Sequence, residues 1–152
     1  MEKPIYNIET SPDGLYHIFD SVGVQKNTKK MVVYVPDENK ADLFHLIFGD
    51  VTDDYNLDVF AISNNQDMKM ILSSVIQTLY AFFEINPNKK VFFTGSTEAR
   101  TRLYRATISK LFEKIELFYN ICGLLDDDST EPFNKSTNYK GYFIEKRHEK
   151  RT

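Results

Sequence analysis

The sequence predicts an α+β fold, in which two long helices accompany a mainly antiparallel sheet of about six to seven strands, in the order β-β-β-β-α-β-α-β-β. The first sixty or so residues hold β-rich runs separated by polar turns, whereas the apolar spacing later changes to a helical period. With 152 residues, 41% hydrophobic and 27% charged, the chain suits one hydrophobic core. We therefore expect a single domain over residues 1–152, with flexible ends at 1–13 and 148–152.

The first four strands are predicted as two hairpins. Residues 15–24 and 31–35 are rich in β-branched and aromatic side chains and flank a polar stretch. Residues 41–51 and 56–63 form the second pair, with a turn-rich connection between them. The side chains of 41–51 are apolar in both alternating positions, which is typical of a strand that is covered on both faces.

Two helices and three strands are predicted for the rest of the chain. Apolar residues recur at helical spacing over 65–85, and Asn64 is suited to cap the start of this helix. A second helix is predicted over 97–117. The predicted strands are 90–94 before that helix, and 118–125 and 139–147 after it, around a polar loop.

One face of the helix at 65–85 is unusually poor in charge. It carries Met70, Ser74, Gln77 and Ala81. Because a face washed by solvent normally holds more charged side chains, the helix is either covered on both sides or meets a partner. This face is the candidate contact for a homo-oligomer or a protein partner.

The composition of the chain limits which cellular compartment and which classes of partner we expect. The net charge of −3 argues against a general polyanion binder, although nucleic acid is not excluded because the bases gather locally. A single cysteine allows no intramolecular disulfide, and no Cys/His spacing suits a metal. No apolar run is long enough for a membrane span or a signal peptide. We expect a cytoplasmic protein without membrane contact, cofactor or metal.

The segment most suited to chemistry is the predicted strand-to-helix turn at Gly95, Ser96 and Thr97. A strand that runs directly into a helix leaves free backbone N–H groups at the positive end of the helix dipole, and this arrangement favours anions. Gly95 permits close backbone approach, and the two hydroxyls can cap the helix or contact a ligand. The turn lacks the Gly-Lys-Ser/Thr ending of a P-loop and the Gly-x-Gly-x-x-Gly fingerprint.

Three arginines follow this turn, at different angles around the predicted helix. Arg100 lies near the core stripe, Arg105 at its flank, and Arg102 points outward, four residues after Glu98. A core-facing guanidinium needs a partner, so Arg100 meets an internal carboxylate such as Asp50, binds a phosphate or carboxylate ligand, or reaches solvent. Gly95, Ser96, Thr97, Arg100 and Arg105 form the predicted anion site.

Other polar residues give weaker signals. The carboxylates around Asp50 lack the spacing of a calcium loop, and residues 126–128 read as a solvated acidic loop. His45 lies in an apolar strand and is predicted to be structural. Cys122 is predicted to be a buried, inert thiol.

Three segments carry a resemblance. Residues 48–50 read Phe-Gly-Asp, residues 63–67 read Ser-Asn-Asn-Gln-Asp, and residues 95–105 read Gly-Ser-Thr-Glu-Ala-Arg-Thr-Arg-Leu-Tyr-Arg. The chain resembles, over about residues 15–121, an uncharacterised domain-of-unknown-function family of small bacterial proteins of Bacteroidetes type. The pattern of that family has Gly where this chain has Gln66. The resemblance implies a bacterial origin and brings no established activity.

Three functions remain open. The leading hypothesis is a small intracellular binding or interaction protein, such as an accessory or immunity-type component, without catalysis. The second is an enzyme on a phosphate-bearing substrate, a nuclease or nucleotide-processing toxin, in which Arg100 and Arg105 stabilise developing negative charge. The third is a nucleic-acid-binding protein that uses the helix arginines and the basic C-terminal residues.

Overall fold

A computed structural model describes residues 7–22, 27–51, 57–58, 68–94 and 98–148. Two helices and nine strands lie in these ranges. The helices are α1 (Met68–Ile85) and α2 (Glu98–Ile115). The strands are β1 (Glu9–Thr10), β2 (Tyr16–Val22), β3 (Asn27–Pro36), β4 (Leu43–Val51), β5 (Leu57–Asp58), β6 (Lys90–Phe93), β7 (Tyr119–Leu124), β8 (Thr130–Pro132) and β9 (Gly141–Lys146).

The predicted class, α+β with a mainly antiparallel sheet, is confirmed, but the predicted number of strands is wrong. The two additional strands are β1 and β8, of two and three residues. Runs this short carry no readable alternation, and they form because a longer neighbour, β2 or β7, offers its free edge. The pairing between β4 and β6 is parallel.

The chain divides into two compact units, which share strand β4. The first unit contains Met1–Val35 and Leu46–Asn86, and the second contains Pro36–His45 and Pro87–Thr152. In the first unit the strands follow the order β1-β2-β3-β4, and β5 pairs with the end of β4. Both predicted hairpins are present in their described parts, since β2 pairs antiparallel with β3 and β4 with β5.

Helix α1 covers one face of the sheet in the first unit. The ring of Tyr34 stacks on Phe82 of α1 at a centroid distance of 4.4 Å. The Thr78 hydroxyl donates to the carbonyl of Val75 (2.6 Å), so it accepts from the Tyr34 hydroxyl (2.7 Å). This chain of hydrogen bonds satisfies two buried hydroxyls between helix and strand, which a purely apolar contact would leave unpaired.

The uncharged face predicted on α1 is partly covered. Ser74 is fully buried. Gln77 is exposed and Ala81 half-buried, while the side chain of Met70 lies outside the described residues. A partner on this face stays a prediction. Neither described helix is both long and apolar enough to cross a membrane.

In the second unit the strands follow the order β4-β6-β9-β7-β8. One face of this sheet carries Tyr142, which contacts Phe133, and Phe133 in turn contacts Phe112 of α2. Helix α2 therefore lies on this face, whose central residues Val91 and Ile144 are buried. Burial raises the pKa of Tyr142 to about 12, as expected for a phenol packed inside a core.

Candidate functional site

The opposite face of the sheet in the second unit, which we name the open face, is only partly covered. Cross-strand partners point to the same side of a sheet, so the strand registers show which side chains lie together. The open face carries Leu43, His45, Lys90, Phe92, Asn120, Cys122, Phe143 and Glu145. Apart from Leu43, all of these side chains are half-buried or exposed.

The side chains of the open face form two rows across the strands. The first row is mainly apolar, because His45, Phe92, Phe143 and Cys122 are successive partners along β4, β6, β9 and β7. The second row is formed in the same way and is mainly polar: Leu43, Lys90, Glu145 and Asn120. An apolar strip and a polar strip therefore run side by side.

A pocket of about 300 Å³ lies over these rows. Its apolar wall includes Phe143 and Cys122, and its volume is at the lower end of the range of small-molecule sites. Its charged groups are two lysines and two carboxylates, one of each from the loop before β4 and one of each from the sheet: Lys40, Asp42, Lys90 and Glu145.

The four charges around the pocket balance in sign, and none is paired with another described residue. Lys40, Asp42 and Glu145 are exposed and Lys90 is half-buried. Within the described ranges, the side chains of these four residues make no hydrogen bond or ion pair. Two positive and two negative groups thus remain available to a ligand.

The thiol in the pocket is not an activated nucleophile. Burial raises the pKa of Cys122, and the neighbouring Glu145 charge raises it further against the opposing effect of Lys90. The thiol is therefore protonated at neutral pH, and nucleophilic cysteines have the opposite shift. The prediction of an inert thiol agrees with this direction, although Cys122 is half-buried rather than fully buried.

His45 does not activate this thiol. Three strand spacings separate β4 from β7 in the sheet, so the two side chains start about 14 Å apart, far beyond hydrogen-bond reach. Nε2 of His45 lies 2.7 Å from a carboxylate oxygen of Asp37. This hydrogen bond from His45 is the main cause that lowers the pKa of Asp37. His45 is thus a hydrogen-bonded structural residue, as predicted.

The structure describes only part of the predicted anion site. Residues 95–97 lie outside the described ranges, and of Arg100 only the backbone, in the first turn of α2, is described. The site is therefore still a prediction. Within the described part of the chain, no cluster of three or more His, Cys, Asp or Glu side chains could hold a metal ion.

Arg105, the remaining residue of the predicted anion site, contacts a loop. Its guanidinium donates to the side-chain oxygen of Asn138 and to the carbonyl of Thr137, the latter at 3.4 Å. Both acceptors belong to the segment between β8 and β9. At least part of the role of Arg105 is therefore to tie α2 to this loop.

Asp50, which is one example of an internal carboxylate for Arg100, pairs with Lys30, whose side chain is only 3% exposed. The side chain of Arg100 lies outside the described residues. The acidic residues at 126–128 behave as predicted for a solvated loop, because all three are exposed and Asp127 accepts from Ser129.

Sequence reasoning missed the polar row of the open face. Lys90, Asn120 and Glu145 lie on three strands that are distant in sequence, and each one looks like an ordinary solvent-facing position. A signal was nevertheless present. On the outward side of each strand a polar residue is followed or preceded, two positions away, by an apolar one, as in Lys90 and Phe92. Only the strand order brings the three together.

The fold and site define an α+β protein whose sheet leaves one face open over a small pocket of mixed charge. Comparison with family models shows that the chain belongs to a family of unknown function, DUF6934, whose model matches residues 2–147. No curated protein and no solved structure matches the chain.

Proposed function

We propose that the protein is a non-enzymatic binding protein, and that its open face holds a small zwitterionic molecule of the amino-acid class. The observation that carries this proposal is the set of four charges, two of each sign, that surround one pocket with an apolar wall and have no partner within the described part of the chain. A carboxylate suits Lys40 or Lys90, and an ammonium group suits Asp42 or Glu145. The net charge of these four residues is zero, which disfavours polyanions.

The chemistry of the pocket supports binding rather than catalysis. Its thiol is protonated, and the histidine on the same face is about 14 Å away and engaged with Asp37. A general base must lie within hydrogen-bond reach of the group that it deprotonates. Neither residue of the open face is placed to activate the other.

The affinity that this pocket can provide is modest. Charge pairs at exposed positions contribute about 0.2–1 kcal/mol each, because water screens them. A ligand of roughly ten non-hydrogen atoms that gains about 0.4 kcal/mol per atom reaches about 4 kcal/mol, or a Kd of about 1 mM. The test must therefore use millimolar ligand.

Titration of the ¹⁵N-labelled protein with L-leucine tests the proposal. We expect saturable shifts at the amides of Asn120, Cys122 and Glu145, and up to about fivefold weaker binding of isoamylamine and 4-methylpentanoate, each of which lacks one of the two charges. Lys90→Gln should weaken binding of leucine and of the carboxylate but not of the amine. Lys29→Gln, an exposed lysine of the first unit, is the matched control and should change nothing.

Two results would count against the proposal. If no amide of the open face shifts with leucine up to about 20 mM, the face is simply solvated, as many antiparallel sheets are on one side. If the singly charged compounds bind as well as leucine, the ligand is not a zwitterion.

A further inference from the structure

We infer, building on the proposed zwitterion site, that the apolar part of the ligand is an aromatic ring that stacks on Phe143. This ring lines the pocket and is half-buried. Its neighbour on one side is Phe92, at a centroid distance of 4.7 Å and a tilt of 47°. Its partner on the other side of the strand is Cys122, which also lines the pocket.

The sheet holds the ring of Phe92 in place beside that of Phe143 on the open face. Gly141 lies beneath the Phe92 ring, and a Cβ atom at that position would come within 2.5 Å of the ring. The absence of a side chain at Gly141 therefore lets Phe92 lie against the strand backbone. His45 holds the far edge of Phe92 in an edge-to-face contact at 5.9 Å.

Phe143 is consequently supported on the side of β6 and open on the side of the pocket. A rigid aromatic surface loses little side-chain entropy when a ligand binds, since its neighbours already restrict its rotamers. Aromatic pairs gain stability beyond the area that they bury, and a sulfur near a ring edge adds to this. An aromatic ring between Phe143 and Cys122 gains both contributions, whereas a saturated ring of the same size gains neither.

The polar row lies beside this surface at the spacing of one side-chain repeat. Residues two apart in a strand lie about 6.6 Å from each other, which is the separation of Phe143 from Glu145 along β9. A ligand whose ring covers Phe143 therefore brings its charged end to Glu145 and to Lys90, the cross-strand partner of Glu145. An aromatic amino acid has this arrangement of ring and charges.

The matched ligands for the test are L-phenylalanine and L-cyclohexylalanine, which have the same charges and nearly the same size. We expect phenylalanine to bind the wild-type protein about fivefold more tightly, measured by amide shifts. Phe143→Leu should reduce the preference to the part that Cys122 provides, and Phe143→Tyr, which keeps a ring, should preserve it. Phe118→Leu is the control variant, because this exposed residue belongs to the turn after α2.

The outcomes separate this inference from the function on which it rests. Equal affinity for the two ligands, or a preference that Phe143→Leu leaves undiminished in a folded protein, overturns the aromatic contact and leaves the zwitterion site standing. If neither ligand shifts the open face up to about 20 mM, the zwitterion site itself is wrong. The ¹⁵N spectrum of each variant shows whether it is folded.

Discussion

Protonation of the buried His17 should destabilise the protein as the pH falls below about 6.5. The ring is fully buried, with Nε2 2.7 Å from the carbonyl of Gly14 and Nδ1 3.0 Å from the hydroxyl of Thr10. A carbonyl can only accept, so Nε2 carries the proton and Nδ1 accepts from Thr10. Burial lowers the pKa of His17, and it outweighs the opposing effects of the Gly14 hydrogen bond and the Asp13 charge.

The size of the effect follows from linkage. Because the pKa of His17 is lower in the folded state, the unfolded chain binds a proton first as the pH falls, and stability decreases below the unfolded pKa of 6.5. For one proton that the folded state does not bind, the free energy of unfolding falls by up to about 1.4 kcal/mol between pH 7.5 and 5.5. The loss is complete only below the folded pKa.

Urea unfolding at both pH values, on the wild type and on His17→Gln, measures this contribution. Glutamine can donate to Gly14 and accept from Thr10 but does not titrate, so subtracting its pH dependence removes the effect of all other groups. Between pH 7.5 and 5.5 the wild type should lose more stability than His17→Gln, by at most about 1.4 kcal/mol. His148→Gln, at an exposed position, is the matched control variant. Identical pH dependence in the wild type and His17→Gln would refute the reasoning.

Three further outcomes are expected. Asp50→Asn should lower the free energy of unfolding in urea by about 3 kcal/mol, since it leaves the buried Lys30 charge unpaired. Lys30→Met should lower it by less, because the Asp50 carboxylate is 18% exposed and can be solvated. Equal losses in the two variants would contradict this reasoning. Gly123→Ala should lower the free energy of unfolding by about 2 kcal/mol, because the new methyl lies within 2.4 Å of the Tyr139 ring. If the losses of Gly123→Ala and Tyr139→Ala simply add in the double variant, the two positions do not clash. Millimolar phosphate should shift the amides of residues 95–100, and unshifted amides would remove the predicted anion site.

Sequence periodicity predicts the longer strands because one side of each must reach the core. In β2 and β3, His17, Phe19, Val32 and Tyr34 occupy alternate positions, and all four are buried. The parallel pairing of β4 with β6 is different, since partners such as Leu43 and Lys90 are 47 positions apart and no local pattern specifies it. Pairing between distant strands depends on the packing of the whole sheet.

The candidate site was harder to predict for the same reason. A charged residue at an outward strand position, such as Lys90, has an ordinary explanation in solvent exposure, and nothing local distinguishes a binding residue from a solubilising one. The run of arginines drew attention to residues 95–105 because its signal is contiguous in sequence. The open face has no contiguous signal, and its polar row exists only after β6, β9 and β7 have paired.

The observed contacts of Arg105 do not by themselves remove it from an anion site. A guanidinium has five N–H donors, and a carbonyl and an amide oxygen are neutral acceptors that leave its positive charge uncompensated. Within the described part of the chain, no carboxylate pairs with it. If Arg105 takes part in anion binding, phosphate should perturb the side-chain amide of Asn138 together with residues 95–100. If phosphate shifts residues 95–100 while Asn138 is unchanged, Arg105 serves only to hold the loop, and the helix start binds the anion without it.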